Sequence, residues 1–315
     1  MAGAGRALVT GGAGFIGSHL VDALLERGWQ VLVVDDLSRG RAENLAPAAR
    51  LEQLDVCSPR LGELLAGFRP QYVFHLAAQI DVRRSVADPG LDLRVNVGGT
   101  INLLRASAGA RVRKVIFSST GGALYGEPER LPADEDHPVH PLAPYGINKY
   151  SCEQYLRFWA GIGGPQFAAL RYGNVYGPRQ DPHGEAGVVA IFCRVMLAGK
   201  APTIFGTGEQ LRDYVYVSDV VAANLLAMAS PTPEPLNIGT GVGSSVLALV
   251  RLLARLTGFG GEPQFAPARP GEVEAIYLDA SRARRWGWEP QVSLPCGLAR
   301  TVDYFRAAGE GAGVL

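Results

Sequence analysis

Short apolar runs alternate with longer segments of helical periodicity along the first half of the chain. The helical segments cover about 18–28, 91–109 and 147–160, where apolar residues recur every three or four positions. The apolar runs between them have the length of buried strands. They fall at 6–10, 30–34, 51–54, 72–76, 114–117 and 167–170. This alternation predicts βα units and therefore a parallel sheet covered by helices.

Polar and small residues follow several of these runs. Gly11, Asp35, Asp55, the segment 75–79 and the hydroxyl cluster 118–120 each stand where a predicted strand ends. Ligands of parallel α/β sheets bind beyond the carboxyl ends of the strands. The sequence therefore predicts a ligand site at this edge of the sheet.

The rhythm changes after Asn174. The pattern predicts a helix over 187–197, a short strand over 204–206 and a strand over 214–219 that runs into a helix capped at its N-terminus. The glycines of 237–243 imitate a dinucleotide turn, but no strand ending in an acid follows at the right distance. We interpret them as a turn before a helix at about 244–257.

A glycine-rich turn joins the first strand to the first helix. It reads Gly11-Gly-Ala-Gly14-Phe-Ile-Gly17 and has the strand before it and the helix after it that a dinucleotide fingerprint requires. Glycines permit the tight turn and let backbone amides approach a pyrophosphate at the positive end of the helix. The fold class is therefore α/β, a Rossmann-type doubly wound parallel sheet with a smaller α/β substrate-binding domain at the C-terminus. We expect the first domain at 1–173 with a return segment at about 214–238, and the second at 174–213 and 239–315.

The second strand ends in an acid. Asp35 lies 18 residues beyond Gly17, near the spacing of about 20 at which a carboxylate holds a ribose 2′-hydroxyl and disfavours a 2′-phosphate. NAD is therefore expected rather than NADP. Arg39 indicates the opposite choice, because an arginine can accept that phosphate, and an ordinary acidic turn is the alternative for Asp35.

Tyr145 and Lys149 are four residues apart in a segment that begins with Pro144, a residue suited to a first helical turn. The spacing places both side chains on one helix face. An ammonium near a phenol favours the phenolate and lowers its pKa, so the pair is a candidate proton-transfer site. A solvated helix face is the alternative. The hydroxyls of 118–120 could bond the oxygen from which Tyr145 takes a proton.

The charge and cysteine content disfavour several classes of partner and site. Lys+Arg and Asp+Glu are both 30, so there is no basic stripe for nucleic acid and no polybasic tail for a membrane. Cys57, Cys152, Cys193 and Cys296 have no metal spacing, and we expect no metal site and no disulfide frame. With no secretory segment and no long apolar stretch, we expect a cytoplasmic protein.

Taken together, these motifs resemble the extended short-chain dehydrogenase/reductase superfamily. Further matches resemble its bacterial UDP-glucose (UDP-galactose) 4-epimerase family and span about residues 6–306. They are His75-Leu-Ala-Ala-Gln79, Asn96-Val-Gly-Gly-Thr100, Leu124-Tyr-Gly126, Leu170-Arg-Tyr-Gly-Asn174-Val-Tyr-Gly-Pro178, Arg212-Asp-Tyr-Val-Tyr-Val and Arg269-Pro-Gly-Glu272. The resemblance implies NAD as cofactor, a UDP-sugar as substrate and a homodimer formed through a helix bundle.

The resemblance also implies roles for individual residues. Catalysis falls to Tyr145, Lys149 and a hydroxyl, for which we prefer Thr120 and place Ser119 second. The segment before Tyr125 is one residue longer than the family's, and this insertion leaves both hydroxyls as candidates. NAD binding is expected of Gly11, Gly14, Phe15, Ile16, Gly17, Asp35, Asp36, Leu37, Ser38, Arg39, Gly40, Asp55, Val56, Leu76, Ala77, Ala78, Gln79, Asn96, Ser118, Tyr145, Lys149 and Tyr172. Substrate binding is expected of Thr120, Tyr145, Asn174, Val188, Val189, Phe205, Arg212, Tyr214, Arg269 and Glu272.

The expected reaction is 4-epimerisation of UDP-glucose or UDP-galactose by transient oxidation at C4 to a 4-keto sugar. Ile276, smaller than a tyrosine, extends the expected substrates to UDP-GlcNAc. UDP-glucuronate or a UDP-pentose is the alternative, since the chemistry is the same. A 4,6-dehydratase is disfavoured because Gly121 and Gly122 stand where those relatives carry an acidic pair. A non-catalytic NAD-binding regulator is disfavoured because this chain keeps Tyr145 and Lys149.

Overall fold

The computed structural model describes residues 5–183, 187–229, 234–268 and 272–311. Contacts divide the chain into two compact units. Unit 1 consists of Met1–Leu124, Pro141–Arg171 and Val221–Leu236, and unit 2 of Tyr125–His140, Tyr172–Val220 and Asn237–Leu315. The boundaries expected from the sequence differ from these chiefly at 125–140 and 214–220, which both belong to unit 2.

The helices and strands have these bounds. The strands are β1 (Arg6–Thr10), β2 (Gln30–Asp35), β3 (Arg50–Gln53), β4 (Tyr72–His75), β5 (Lys114–Thr120), β6 (Gln166–Tyr172), β7 (Asn174–Tyr176), β8 (Thr203–Phe205), β9 (Leu211–Tyr216), β10 (Leu236–Ile238), β11 (Gly243–Ser245), β12 (Gln264–Ala266) and β13 (Ala275–Ile276). The helices are α1 (Phe15–Glu26), α2 (Leu61–Phe68), α3 (Val82–Ala87), α4 (Pro89–Leu93), α5 (Gly99–Gly109), α6 (Pro144–Gly161), α7 (Val188–Leu197), α8 (Val217–Ala229), α9 (Val246–Thr257), α10 (Ser281–Arg285) and α11 (Leu294–Gly311).

A seven-stranded sheet has the strand order β10-β6-β5-β4-β1-β2-β3. Strand β1 pairs in parallel with β2 and β4, and the pairs β2–β3 and β4–β5 are parallel as well. The chain therefore winds outward from β1 in both directions, which brings the carboxyl ends of β1, β2, β4 and β5 to one edge. The predicted Rossmann-type fold is confirmed.

Apolar side chains from strands and helices form the core of unit 1. Fully buried leucines of α2 and α5, such as Leu61 and Leu103, join strand residues such as Val73 and Phe117 and Leu156 of α6 in one cluster. Helix α1 buries Leu20 and Leu24. This packing anchors the helices of unit 1 against the strands of the large sheet.

Unit 2 contains smaller sheets. Strand β9 pairs in parallel with β13 and β7 and antiparallel with β11, and β8 pairs in parallel with β12. Helices α7, α9 and α11 contact one another. Helix α9 is capped by Ser245, whose side chain accepts a hydrogen bond from the Ala248 amide at 3.1 Å, and it ends at Gly258, where φ is 77°. The predicted helices of this half are thus formed.

The predicted helix over 91–109 is wrong as a single element. After α4, residues Arg94–Gly98 form a π-helical segment, and α5 begins only at Gly99. Such a widened turn changes which side chains share a face, and π segments often mark functional sites. Asn96 stands in its middle. None of the helices in the described ranges is long and apolar enough to cross a membrane.

Candidate functional site

The glycine turn after β1 has the shape a dinucleotide requires. Gly11 has φ +67°, and a Cβ added there would lie 2.7 Å from the Ala77 amide nitrogen. A Cβ at Gly17 would overlap the Gly11 carbonyl oxygen. Gly14 precedes the first turn of α1, with Phe15 and Ile16 as its first residues. Because the first amides of a helix have no partner within it, this cradle fits a pyrophosphate.

Asp35 ties the end of β2 to this turn. Its carboxylate accepts hydrogen bonds from the Ala13 amide at 3.0 Å and the Leu37 amide at 2.9 Å. Burial raises the pKa of Asp35, and the two amides oppose that shift. An added Cβ at Gly40 would lie 2.6 Å from the same carboxylate, so the loop closes over Asp35.

The loop after Asp35 bears on the choice between NAD and NADP. Asp36 accepts from the amide and the hydroxyl of Ser38, at 2.9 and 2.7 Å. The Arg39 guanidinium lies 3.7 Å from the Asp81 carboxylate. An arginine facing a carboxylate is a weaker phosphate partner, so the geometry favours a free ribose hydroxyl at Asp35.

The segment after β4 is held by a network of amides. Asn96 accepts from the Gln79 amide at 2.9 Å and donates to the Gln79 carbonyl at 3.0 Å. The Gln79 side chain donates to the Asp92 carboxylate at 2.7 Å. Asn148 donates to the other Asp92 oxygen at 2.7 Å. The predicted residues Gln79 and Asn96 therefore belong to one buried network with a carboxylate.

A second polar chain crosses the core beneath this segment. The Thr100 hydroxyl donates to the Asn96 carbonyl at 2.7 Å, so it accepts from His75 Nε2 at 3.0 Å. The other ring nitrogen, Nδ1, then accepts from the Thr10 hydroxyl at 2.7 Å, and that hydroxyl accepts from the Ala77 amide at 3.2 Å. Burial, with the charge of Lys149 acting in the same direction, lowers the pKa of His75 to about 3. His75 is therefore a neutral ring that fixes the chain beside Leu76, Ala77 and Ala78.

The remaining predicted cofactor residues stand at strand ends of the two units. Asp55 accepts from the Cys57 amide at 2.8 Å, and Val56 is buried beside α5. Ser118 is buried in β5 of unit 1. Tyr172 ends β6, is buried and belongs to unit 2.

Tyr145 and Lys149 lie on one face of α6, as their spacing predicts. The Lys149 ammonium donates to the Ser118 carbonyl at 2.9 Å and lies 4.8 Å from the Phe117 ring centre and 5.9 Å from that of Tyr145. Burial lowers the pKa of Lys149. Burial also raises the pKa of Tyr145, with Asp92 contributing in the same direction. This direction is opposite to the one expected from the ammonium alone.

The two candidate hydroxyls of β5 have different surroundings. Ser119 is buried and donates to Glu153 at 2.5 Å. Glu153 is also gripped by the Arg171 guanidinium through two hydrogen bonds, at 3.0 and 2.7 Å. Thr120 ends the strand and is only half-buried. Because the Ser119 hydroxyl already has a charged acceptor, Thr120 stays the preferred catalytic hydroxyl.

Four of the residues predicted to bind substrate lie on or beside β9: Asn174, Arg212, Tyr214 and Glu272. The Arg212 guanidinium lies 3.3 Å from Glu272 and donates to the Leu211 carbonyl at 2.9 Å. Tyr214 pairs in register with Asn174, and its buried hydroxyl has no hydrogen-bond partner among the residues described. A buried unpaired hydroxyl is costly, so this atom fits a ligand oxygen.

Three other residues predicted to bind substrate lie on α7 and β8. Val188 begins α7, Val189 is fully buried within it, and Phe205 ends β8. Ile276 is buried in a cluster with Tyr125 and Leu278. Arg269 lies outside the described residues. No group of His, Cys, Asp and Glu side chains suited to a metal occurs in the described part of the chain.

The sequence reasoning missed four buried polar residues of unit 1. They are Asp92, Asn148, Glu153 and Arg171. Signals did exist for two of them. Arg171 is a charged residue in an otherwise apolar strand, which demands a buried partner, and Asn148 directly precedes Lys149.

Comparisons with known proteins agree with this geometry. A family model described as the NAD dependent epimerase/dehydratase family matches residues 7–239. The chain is 48% identical over 309 residues to a UDP-glucose 4-epimerase of Mycolicibacterium smegmatis, with 96% of this chain and 98% of the relative covered.

Solved structures extend the likeness to three dimensions. A UDP-glucose 4-epimerase of Thermotoga maritima, solved with UDP-glucose, is 52% identical with a TM-score of 0.95, covering 96% of this chain and 99% of that one. A UDP-glucose 4-epimerase of Thermus thermophilus, solved with NAD, is 44% identical with a TM-score of 0.91, covering 96% and 99%. In both cases the similarity extends over nearly the full length of each chain.

Proposed function

Because the chain belongs to the NAD dependent epimerase/dehydratase family, we propose that it is an NAD-dependent 4-epimerase of a UDP-sugar, with UDP-glucose and UDP-galactose as substrates. The observation that carries the proposal is the placement of Lys149. Its ammonium is fixed to the end of β5 by Ser118 and faces the Tyr145 ring on the same helix. The close relatives with this activity support the choice of substrate.

The cofactor would be held by unit 1. The glycine turn would bind the pyrophosphate, Asp35 the adenosine ribose, and Lys149 the nicotinamide ribose. When bound, NAD would accept a hydride from C4 of the sugar and return it, and its positive charge would favour the Tyr145 phenolate.

The chain's own groups would move the proton. Tyr145 as phenolate removes the proton of the C4 hydroxyl, and Thr120 holds that oxygen by a hydrogen bond. The burial that raises the pKa of Tyr145 makes an added positive charge necessary, and Lys149 is one such charge. The same phenol then returns the proton after the 4-keto sugar has presented its other face.

Substrate affinity would come from unit 2. A guanidinium fork matches phosphate oxygens, so Arg212 and Arg269 would bind the diphosphate. The unpaired Tyr214 hydroxyl and Asn174 beside it would complete the contacts. Anchoring by the diphosphate leaves the sugar free to rotate, as the reaction requires.

Removing the phenol oxygen tests the role of Tyr145. Tyr145→Phe is expected to lower kcat for UDP-galactose to UDP-glucose conversion by about 10²–10⁴-fold, the contribution usual for a positioned acid–base group. Tyr155→Phe removes an exposed hydroxyl from the same helix and is the matched control, expected to keep full activity. Undiminished turnover in Tyr145→Phe would refute the mechanism.

The identity of the sugar is tested separately. UDP-hexoses, UDP-GlcNAc, UDP-glucuronate and UDP-pentoses share the 4-epimerisation chemistry, so purified protein should be assayed against each. We expect the highest kcat/KM for UDP-glucose and UDP-galactose. A higher value for a uronate or pentose would replace the proposed substrate while leaving the reaction unchanged.

We also propose a homodimer formed through the helices of unit 1. Helices α3, α4 and α6 contact one another and expose the large apolar side chains of Val86, Leu93, Ile147 and Phe158, and Ile162 is exposed directly after α6. A second copy of the same face would cover this patch. Light scattering of the purified protein should give twice the 33.5 kDa chain mass, and a monomer at micromolar concentration would contradict the proposal.

A further inference from the structure

Asp92 is a buried carboxylate on α4 that accepts a hydrogen bond from Asn148, the residue directly before Lys149 on α6. Its side chain is inaccessible to solvent, and its two oxygens accept from the amides of Gln79 and Asn148, each at 2.7 Å. No cation pairs with it among the residues described. Burying a charge is costly unless another charge or several hydrogen bonds compensate it, so a carboxylate placed here invites a functional explanation.

Several ionisable groups face Lys149 from the elements packed around it. Tyr145, Cys152 and Glu153 lie on α6 itself, Asp92 on α4 and His75 on β4. The Ser118 carbonyl of β5 accepts from the ammonium. A buried ammonium needs negative charge nearby to remain protonated. Apart from Tyr145, the other member of the pair, three of these groups could supply it: Cys152, Glu153 and Asp92.

Two of the three are poor sources of that charge. Glu153 is already neutralised by the two-pronged contact of Arg171, whose side chain is also buried. Burial raises the pKa of Cys152 to about 11, so at neutral pH its thiol carries no charge. Asp92 meets only neutral amides. It is the one carboxylate of the set whose charge is not cancelled by a cation.

We propose that Asp92 is a positioning residue whose uncancelled negative charge keeps Lys149 protonated inside the site. The two amides that donate to Asp92 fix its position. Asn148 directly precedes Lys149 on α6, and Gln79 belongs to the segment that would border the cofactor. The inference rests on the roles proposed for Tyr145 and Lys149. The new element is that Asp92, a residue outside the pair, sets the charge state of Tyr145 and Lys149.

The lysine content of the chain permits a direct test. The sequence contains only Lys114, Lys149 and Lys200, so protein labelled with ¹³C at the lysine ε-carbon should give three side-chain signals. Lys114→Arg and Lys200→Arg assign the signal of Lys149. In Asp92→Asn, which keeps the side-chain shape and removes the charge, the pKa of Lys149 should fall by about one unit.

Asp88→Asn is the matched control. Asp88 is exposed at the start of the same helix and accepts from the Leu91 amide, a contact that asparagine also makes. It should leave the Lys149 titration unchanged, whereas Asp92→Glu should restore a titration near that of the wild type. An Asp92→Asn titration that overlays the wild-type curve would overturn the proposal. If circular dichroism shows that Asp92→Asn does not fold, Asp92→Ser repeats the test with a smaller neutral acceptor.

Kinetics provide a second readout. Loss of a negative charge lowers the pKa of both Tyr145 and Lys149, so both limbs of the kcat/KM profile of Asp92→Asn should move to lower pH by about one unit. A purely structural role would lower the rate without moving the limbs, and that result would also overturn the proposal. The lysine titration needs no turnover. Failure of the wild type to epimerise any UDP-sugar would therefore refute the proposed function separately.

Discussion

Asp92 in unit 1 and Asp213 in unit 2 are both almost completely buried, yet their surroundings differ. Asp213 accepts four hydrogen bonds, from the Thr240 amide at 2.8 Å, the Thr240 hydroxyl at 2.6 Å, and the Gly241 and Leu278 amides at 3.1 Å each. Asp92 accepts from two side-chain amides and lies beside a buried lysine.

The difference separates two uses of a buried charge. Around Asp213, the Thr240 and Gly241 amides and the Thr240 hydroxyl hold the glycine turn over 239–242 against β9, the strand that carries Arg212 and Tyr214. The Leu278 amide is a third backbone donor. That arrangement defines a backbone shape. Around Asp92, the donors are side chains, and part of the carboxylate's field is left for Lys149 and Tyr145. We propose that this arrangement sets the protonation states of Lys149 and Tyr145.

Removing Asp213 should have the largest effect on stability. Asp213→Ala would leave four donors without their acceptor, so we expect the free energy of unfolding to fall by about 3–5 kcal/mol. Urea denaturation measures this loss. Asp181→Ala, which removes an exposed carboxylate that accepts from the His183 amide, is the control and should cost about 1 kcal/mol or less.

Asp213→Ala also tests whether Asp92 and Asp213 differ in their effect on protonation. If folded Asp213→Ala moves the limbs of the kcat/KM profile as Asp92→Asn should, then the two carboxylates do not differ in use. We expect the limbs of Asp213→Ala to coincide with those of the wild type.

His75 should give an intermediate effect that depends on pH. Its folded-state pKa of about 3 lies below the ordinary value of 6.5, so the stability it contributes is present above about pH 6.5 and is lost as the pH falls towards 3. Between about pH 7 and pH 4.5, this linkage should cost the wild type about 2.5 kcal/mol.

Replacing the ring should remove that part of the pH dependence. His75→Gln is expected to be less stable at neutral pH and to lose less stability on acidification, as measured by urea denaturation at both pH values. His183→Gln changes an exposed ring and should retain the wild-type loss. An equal acid loss in His75→Gln would contradict a neutral buried histidine.

The smallest effect is expected at a partly exposed carboxylate of unit 2. Glu272 is one-third exposed and lies 3.3 Å from Arg212. Because solvent screens such a pair, Glu272→Gln should change the free energy of unfolding by less than about 1 kcal/mol. A loss comparable to that of Asp213→Ala would show that exposure does not separate these carboxylates.

Much of unit 1 could be predicted because its signals are local. The glycine turn, Asp35 at the end of β2 and the four-residue spacing of Tyr145 and Lys149 each involve residues close in sequence. The apolar runs likewise matched six of the seven strands of the large sheet within three residues, whereas Asn237 and Ile238 of β10 were interpreted as part of a turn. Local spacing fixes which side chains share a helix face or a strand end, whatever packs against them.

The structure of the segment 91–109 could not be predicted from local spacing. Its apolar periodicity is helical throughout, but the widened turn at Arg94–Gly98 depends on contacts made elsewhere in the chain. The Asn96 carbonyl accepts from Cys152, 56 residues away, and the Asn96 side chain pairs with Gln79. Periodicity contains no information about such partners.

The sequence by itself determined the order of the βα units, the cradle for a dinucleotide and the Tyr145–Lys149 pair. Only the tertiary structure decided the charges around that pair. Asp92 and His75 belong to other elements, α4 and β4, and Glu153 of α6 is paired with Arg171 of β6. Electrostatic effects depend on distance and burial in space, and the fold rather than the spacing of residues along the chain sets both.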